Sequence, residues 1–545
     1  MTLRVVLLSG SALIAAFTSA QAADSFQDQL AAMPRLTASQ PKVAEVEHPS
    51  KVAEPVRVST VSTPKVTRNK KAVTKAAPAP AAPSALERKI AEQQAQIDAL
   101  IAKVDAAATP AKVVATEKKE PVWSLTNGRP TITSADGRYS LAVRAIGQFD
   151  NAYYSQRKQA QQLAAANGPD LSSGQNFRRA QLGIQGKIFG DWSYQFNYDF
   201  AGSGTESPGR IQAAWVQYDG MAPFAVRIGA FPPSAGLEDN TSAADTLFLE
   251  RNAPAELARN IAGGDGRDGI AVTYTTDRLY GALSYTGDKI ADAGVFDEQQ
   301  ALVGRFSGLA YTTDDIKLVL SANSTFVFKA AETTSGPGAM RAITFSVAPE
   351  LTVDSNGTKL VSSGALNAQR VWQWGLETGA QWKNFFGQAG YFGFDVSRRN
   401  TTAPSVAFNG WYAQASWVVT GESRGYNKAS AAFTNPKPIN DFSFDGNNPG
   451  AWEIAARYSV LNLDDHAGNV GSPLPVDGIR GGEQRIATFG LNWYPNSAVR
   501  FELQLQHTQV SRIGTIPAGF GHGAISNTDV GQTFNTIALR SQVAF

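Results

Sequence analysis

Cysteine is absent from this 545-residue chain, which removes disulfides, thiolate metal sites and cysteine nucleophiles from consideration. Histidine is nearly as scarce. His48, His466, His507 and His522 are scattered through linker, loop and strand-end positions that make no ligand set. No HExxH pair, no glycine-rich phosphate loop opening a helix and no nucleophile–base spacing occurs, so the chain carries no enzyme signature and no cofactor or metal motif. The stretch "GGDGRDG" sets two aspartates among glycines but lacks the twelve-position ladder of a calcium loop. Charge is also in short supply. A formal net charge of +2 gives no reason to expect a nucleic-acid partner. Past the N-terminus, no segment supplies the roughly 20 consecutive apolar residues of a spanning helix. If the chain crosses a membrane, it does so as strands.

What is present falls into four parts. Residues 1–22 combine a lone Arg4, a short apolar run and Ala20-Gln21-Ala22, the pattern of a secretory signal peptide cleaved after Ala22. Residues 23–83 form a spacer rich in proline, alanine and lysine with no period, as expected of an extended, disordered tether. Its lysines read first as simple solvation, with attraction to an anionic polymer such as peptidoglycan as the alternative. Between 84 and 108, Leu86, Ile90, Gln93, Ile97, Leu100 and Val104 alternate four- and three-residue steps, the seam of a short coiled-coil helix. A lone amphipathic helix is the other reading of the same spacing.

From 130 to 545 the period becomes two. Tyr194, Phe196, Tyr198 and Phe200 alternate with Ser193, Gln195, Asn197 and Asp199. Val499, Phe501, Leu503 and Leu505 alternate with Arg500, Glu502, Gln504 and Gln506, and the chain closes on "TIALRSQVAF" with Phe545 last. A row of Glu, Arg and Gln cannot face a dry core without partners but can face a water-filled lumen. Aromatics gather at strand ends, as at Trp192, Tyr194, Trp493 and Tyr494, where membrane interfaces favour them. Short turns alternating with longer connections complete the pattern of a transmembrane antiparallel β-barrel of about 16 strands. Its first strand is expected near 137 and its tenth near 371. One stretch fits badly: residues 420–450 should be a short turn yet number about thirty.

"FRRAQLGIQGKIFGDWSYQFNYDF", "GAFPPSAGLEDNTSAADTLFLERNAPAEL", "SWVVTGESRGYNKASAAFTNPKPINDFSF", "GAWEIAARYSVLNL" and "GLNWYPNSAVRFEL" resemble, in order, segments of the phosphate-selective porin O/P family. The resemblance implies a homotrimer in bacterial outer-membrane lipid, with the N-terminal segment in the periplasm. It also implies a loop after the fifth strand that folds inward to narrow the pore. The terminal Phe545 resembles the signal read by the outer-membrane assembly machinery.

Selectivity depends on which charges face water in the constriction. Residues 121–545 carry 33 basic and 36 acidic side chains, so the total does not announce an anion channel. Strand alternation sends Arg144, Arg179, Lys187, Arg227, Arg457 and Arg500 inward, and the inward loop adds Arg251, Arg259 and Arg267. Arginine forks suit phosphate oxygens, so these nine are the expected pore-lining, anion-binding residues. The alternatives are a weakly selective or cation-preferring nutrient pore, in which neighbouring carboxylates neutralise each arginine, or an envelope-tethering structural protein.

Overall fold

The computed structural model describes residues 85–107, 120–126, 128–156, 171–201, 209–290, 296–336, 338–354, 357–399, 404–516 and 523–545. The expected signal peptide and the spacer up to 83 lie outside the described residues. The chain divides into two units, Met1–Ala111 and Lys112–Phe545. In the first, α1 (Ala85–Ala107) is a helix of 23 residues. Leu86, Ile90, Ile97 and Leu100 of the expected seam stand exposed on it. No helix among the described residues is long and apolar enough to cross a membrane.

The second unit is built on a ring of antiparallel strands. They are β1 (Ser140–Gln156), β2 (Gly174–Ile188), β3 (Trp192–Asp199), β4 (Arg210–Met221), β5 (Phe224–Phe231), β6 (Arg267–Thr275), β7 (Leu279–Lys289) and β8 (Gln300–Thr312). The other half comprises β9 (Ile316–Lys329), β10 (Val361–Trp382), β11 (Phe385–Arg398), β12 (Val406–Val418), β13 (Ala451–Asp465), β14 (Ile479–Tyr494), β15 (Val499–Ser511) and β16 (Gln532–Ala544). Each pairs with the next, and β16 returns to β1 with Ala538 opposite Ala152, so the 16-stranded sheet closes and leaves no edge. Strands begin within a few residues of the positions expected from alternation. The largest departure is β10, which starts ten residues earlier, at Val361, where its upper part pairs with an extra strand, Ala342–Val347; β14 starts six residues earlier than expected, at Ile479.

The lower rim, where the chain begins and ends the ring, carries an outward aromatic belt. Trp192–Tyr218, Phe224–Tyr274, Phe385–Trp417, Trp452–Trp493 and Trp493–Phe501 sit with ring centroids 5.1–5.8 Å apart. That is the girdle of a membrane barrel. Tyr494 does not join it: it is buried and points inward, its hydroxyl donating to Glu453 at 2.7 Å.

Hydropathy on the inner face changes along several strands of β8–β16, although Leu309, Val319 and Phe386 form a second apolar cluster with the inward segments near the lower rim. Nearer the lower rim many inward residues are polar, such as Gln388, Gln414, Glu453 and Arg500. Toward the upper rim the same face becomes Phe392, Phe394, Phe408, Leu461, Leu463, Val510 and Phe534, all buried in one cluster. The reason is what fills the ring. The connection after β5 (232–266) carries α2 (Leu237–Asn240) and α3 (Ala253–Ala262), and α3 packs its buried alanines, Leu257 and Ile261 into that upper cluster. Asn252 caps α3 by accepting from the Ala255 N–H, with Pro254 in the first turn. Gly410 makes room: a Cβ there would lie 2.8 Å from Pro254 Cγ.

The long stretch after β12 is explained by the same filling. It turns back into the ring as a hairpin, Arg424–Asn427 paired with Ala432–Pro436. Phe433 packs edge-on against Phe386 and sits over Gly379, where a Cβ would lie only 2.7 Å from the Phe433 ring. Arg305 on β8 holds the hairpin tip by donating to the Ser430 and Ala431 carbonyls at 2.8 and 2.7 Å.

Candidate functional site

An irregular segment inside a barrel must find partners for its backbone, because an unpaired buried carbonyl costs as much as a lost hydrogen bond. Residues 243–250 find them on the wall. The Ala243 carbonyl accepts from Gln148, Ala244 from Gln542 and Thr246 from Arg500. The Leu247 carbonyl accepts from Arg500 and Asn492, Leu249 from Arg540, and Glu250 from Arg457. The polar rows on β13–β16 therefore face a packed interior rather than open water, and this loop is their partner.

Arg457 and Arg500 are accordingly sealed between wall and loop. Arg457 also pairs with Glu350 at 2.5 Å, both side chains fully buried, and Arg500 pairs with Glu502 at 3.0 Å. Arg267 donates to the Gly263 and Gly287 carbonyls and pairs with Asp288. Lys187 is exposed near the lower rim. The structure does not bring these four expected site residues to the open part of the lumen.

The open part lies between the loop and β1–β7. It is a cavity of about 570 Å³, and Arg144, Arg179, Arg227, Arg251 and Arg259 of the expected set line it. Arg129, from the short hairpin Val122–Thr126/Arg129–Thr133 that pairs with the start of β1, makes a sixth. Sequence reasoning passed over Arg129 because it precedes the alternating region. Facing these six are three aspartates, Asp239, Asp245 and Asp265, and a wall of amides that includes Gln181, Gln185, Gln195, Asn197 and Gln212.

The charges are not evenly matched. Arg259 takes two of the aspartates, its Nε 2.7 Å from Asp239 and an Nη 2.7 Å from Asp265, with Glu256 at 3.5 Å. Burial opposes ionisation of both Arg259 and Asp265, yet their mutual attraction wins, lifting the guanidinium and holding the carboxyl well below the usual range. Asp245 accepts from the Asn435 N–H at 3.1 Å, and its burial raises its pKa. The wall arginines mostly have neutral partners. Arg144 donates to Gln185 at 3.2 Å, Arg179 to Gln148 at 2.7 Å and Arg227 to Gln217 at 2.9 Å. Arg227 also lies 4.1 Å above the Trp215 ring. Arg251 is committed to the loop itself, donating to the Glu238, Asp239 and Thr241 carbonyls at 3.0–3.3 Å.

A second arginine missed by alternation is Arg178. On an ideal strand it would face lipid beside an inward Arg179. The pairing of β1 with β2 slips between Gln148 and Phe149, so Phe149 opposes Phe177 and Arg178 is the extra residue. This bulge turns Arg178 inward, where it grips Glu250 with two bonds of 2.5 and 3.0 Å. The doubled arginine in "FRRAQL" is the signal, since two adjacent charges cannot both avoid lipid on a regular strand.

The profile of the family described as phosphate-selective porin O and P matches residues 156–532. The chain belongs to this family. Porin O of Pseudomonas aeruginosa is 27% identical over 349 residues, covering 62% of this chain and 77% of that protein. Among solved structures, OmpT of Vibrio cholerae superposes with a TM-score of 0.44 at 8% identity, over 75% of this chain and 98% of its own. An anion-selective porin from Comamonas acidovorans does so with a TM-score of 0.41 at 13% identity, over 75% of this chain and all of its own. As a member of the porin O and P family, the protein is a channel of the bacterial outer membrane.

Proposed function

We propose that this porin conducts small hydrophilic anions, phosphate among them, and does so as a homotrimer. The observation that carries the reading is the imbalance of the cavity lining, where six arginines meet three aspartates and two of those aspartates are spent on Arg259 alone. Arg144, Arg179 and Arg227 keep guanidinium donors on neutral amides, which an oxyanion can replace at little cost. Channel selectivity follows such lining charges rather than the net charge of the barrel.

The test is the zero-current potential of the purified porin in a planar bilayer under a potassium chloride gradient, followed by titration with phosphate. A chloride-side potential and phosphate block at low concentration are expected. A potential near zero or on the potassium side, with no block, refutes the anion reading and makes this a general porin.

A further inference from the structure

The inward loop brings one carboxylate to the arginine pair of the β2 bulge, and the anion reading leaves it unaccounted for. Glu250 Oε1 lies 2.5 Å from Arg178 Nε and 3.3 Å from Arg540, while Oε2 lies 4.0 Å from Arg179. Thr352 also donates to Oε1, at 3.3 Å. Arg540 has a carboxylate of its own, since Asp150 grips it with two bonds of 2.6 Å. Arg178 and Arg179 have none. Among the described residues, Glu250 is their only ion-pair partner. Its side chain is also not what seats the loop, because its backbone carbonyl is held separately by Arg457 and the preceding carbonyl, of Leu249, by Arg540.

We propose that Glu250 is a specificity-determining residue that limits how strongly the pore prefers anions, by offsetting the charge of Arg178 and Arg179 beside the cavity. The inference rests on the anion-pore reading but makes a separate claim about one charge. Removing that charge leaves a doubly positive pair where a solute passes Arg179. An anion within several ångströms then gains a factor of about 2 to 30, depending on how much water screens the contact.

The experiment compares zero-current potentials and phosphate block in wild type, E250Q, E250D and R178Q, each as the full-length porin. E250Q moves the potential toward chloride and lowers the half-blocking phosphate concentration by roughly 2- to 30-fold. E250D keeps the charge on a shorter stem and stays near wild type. R178Q, which leaves Glu250 less compensated, moves the potential toward potassium and gives an independent answer should E250Q fail to assemble. An E250Q potential equal to that of a chloride-selective wild type overturns the assignment. So does an E250D shift as large as that of E250Q, because packing would then be the cause. A wild-type potential near zero that moves to the chloride side in E250Q sinks the anion-pore reading while leaving Glu250 in the stated role.

Discussion

Arg457→Met tests whether buried arginines hold the loop rather than serve the solute. Arg457 pairs with Glu350 at 2.5 Å, donates to the Glu250 carbonyl at 2.9 Å and lies 4.4 Å over the Phe248 ring. Both charged side chains are fully buried. Methionine keeps most of the volume but strands Glu350, which retains only the Ala253 N–H at 2.8 Å and the Ser459 hydroxyl at 2.5 Å. Breaking one side of a buried pair costs about 3–5 kcal/mol. Glu350 moreover sits at φ 57°, a left-handed conformation that its hydrogen bonds must hold in place. The double variant R457M/E350Q removes both charges, and its amide oxygen can still accept from Ala253 and Ser459. It should recover about 2–3 kcal/mol relative to the sum of the single variants, since well-packed neutral replacements are nearly isoenergetic with the pair. Equilibrium urea unfolding in lipid vesicles, followed by tryptophan fluorescence and gel mobility, measures all four corners of the cycle. Strict additivity, or a cost for R457M below about 1 kcal/mol, refutes the clamp.

Three further outcomes are expected. R144A and R227A should each reduce the chloride-to-potassium permeability ratio about two- to threefold with little change in unfolding midpoint, because both arginines rest on neutral amides beside water; single-channel recording and urea titration together check this. Burial raises the Asp245 pKa, so on acidification it takes up a proton before an ordinary aspartate does, the lining gains positive charge, and anion preference rises as pH falls. That pH dependence should vanish in D245N, and a pH-independent wild-type potential would contradict it. F545A should leave the melting temperature of purified porin nearly unchanged, because Phe545 closes the seam through backbone bonds with Ala145 of 3.1 Å in both directions, yet lower the assembled yield in cells.

The wall was legible because a period of two survives wherever one side of a strand meets lipid. Thr536, Ala538, Arg540 and Gln542 turn inward as their alternation demands, and the ring has the expected sixteen strands. Legibility ended where lipid no longer set the pattern. The apolar inner residues Phe392, Phe394 and Phe408 look like a lipid face by composition, but they pack beneath α3. Arg178 needed a bulge that alternation cannot express. The open and sealed arginines are also indistinguishable in sequence: Arg144 and Arg500 both sit on inward strand positions, and only the path of the loop separates a cavity wall from a carbonyl clamp. The hairpin at 424–436 was visible only as an excess of length.

The clamp has a consequence for the order of manufacture. The loop that shapes the passage lies near the middle of the sequence, but most of the side chains that fasten it come later, on the last four strands: Arg457, Asn492, Arg500, Arg540 and Gln542. Arg540 fastens the Leu249 carbonyl while gripping Asp150 across the strand pair that shuts the ring. Those strands must therefore be in place before the passage acquires its width. A chain that stops short lacks its last strand and also the fasteners of its own constriction, so ring closure and calibration of the hole are one event.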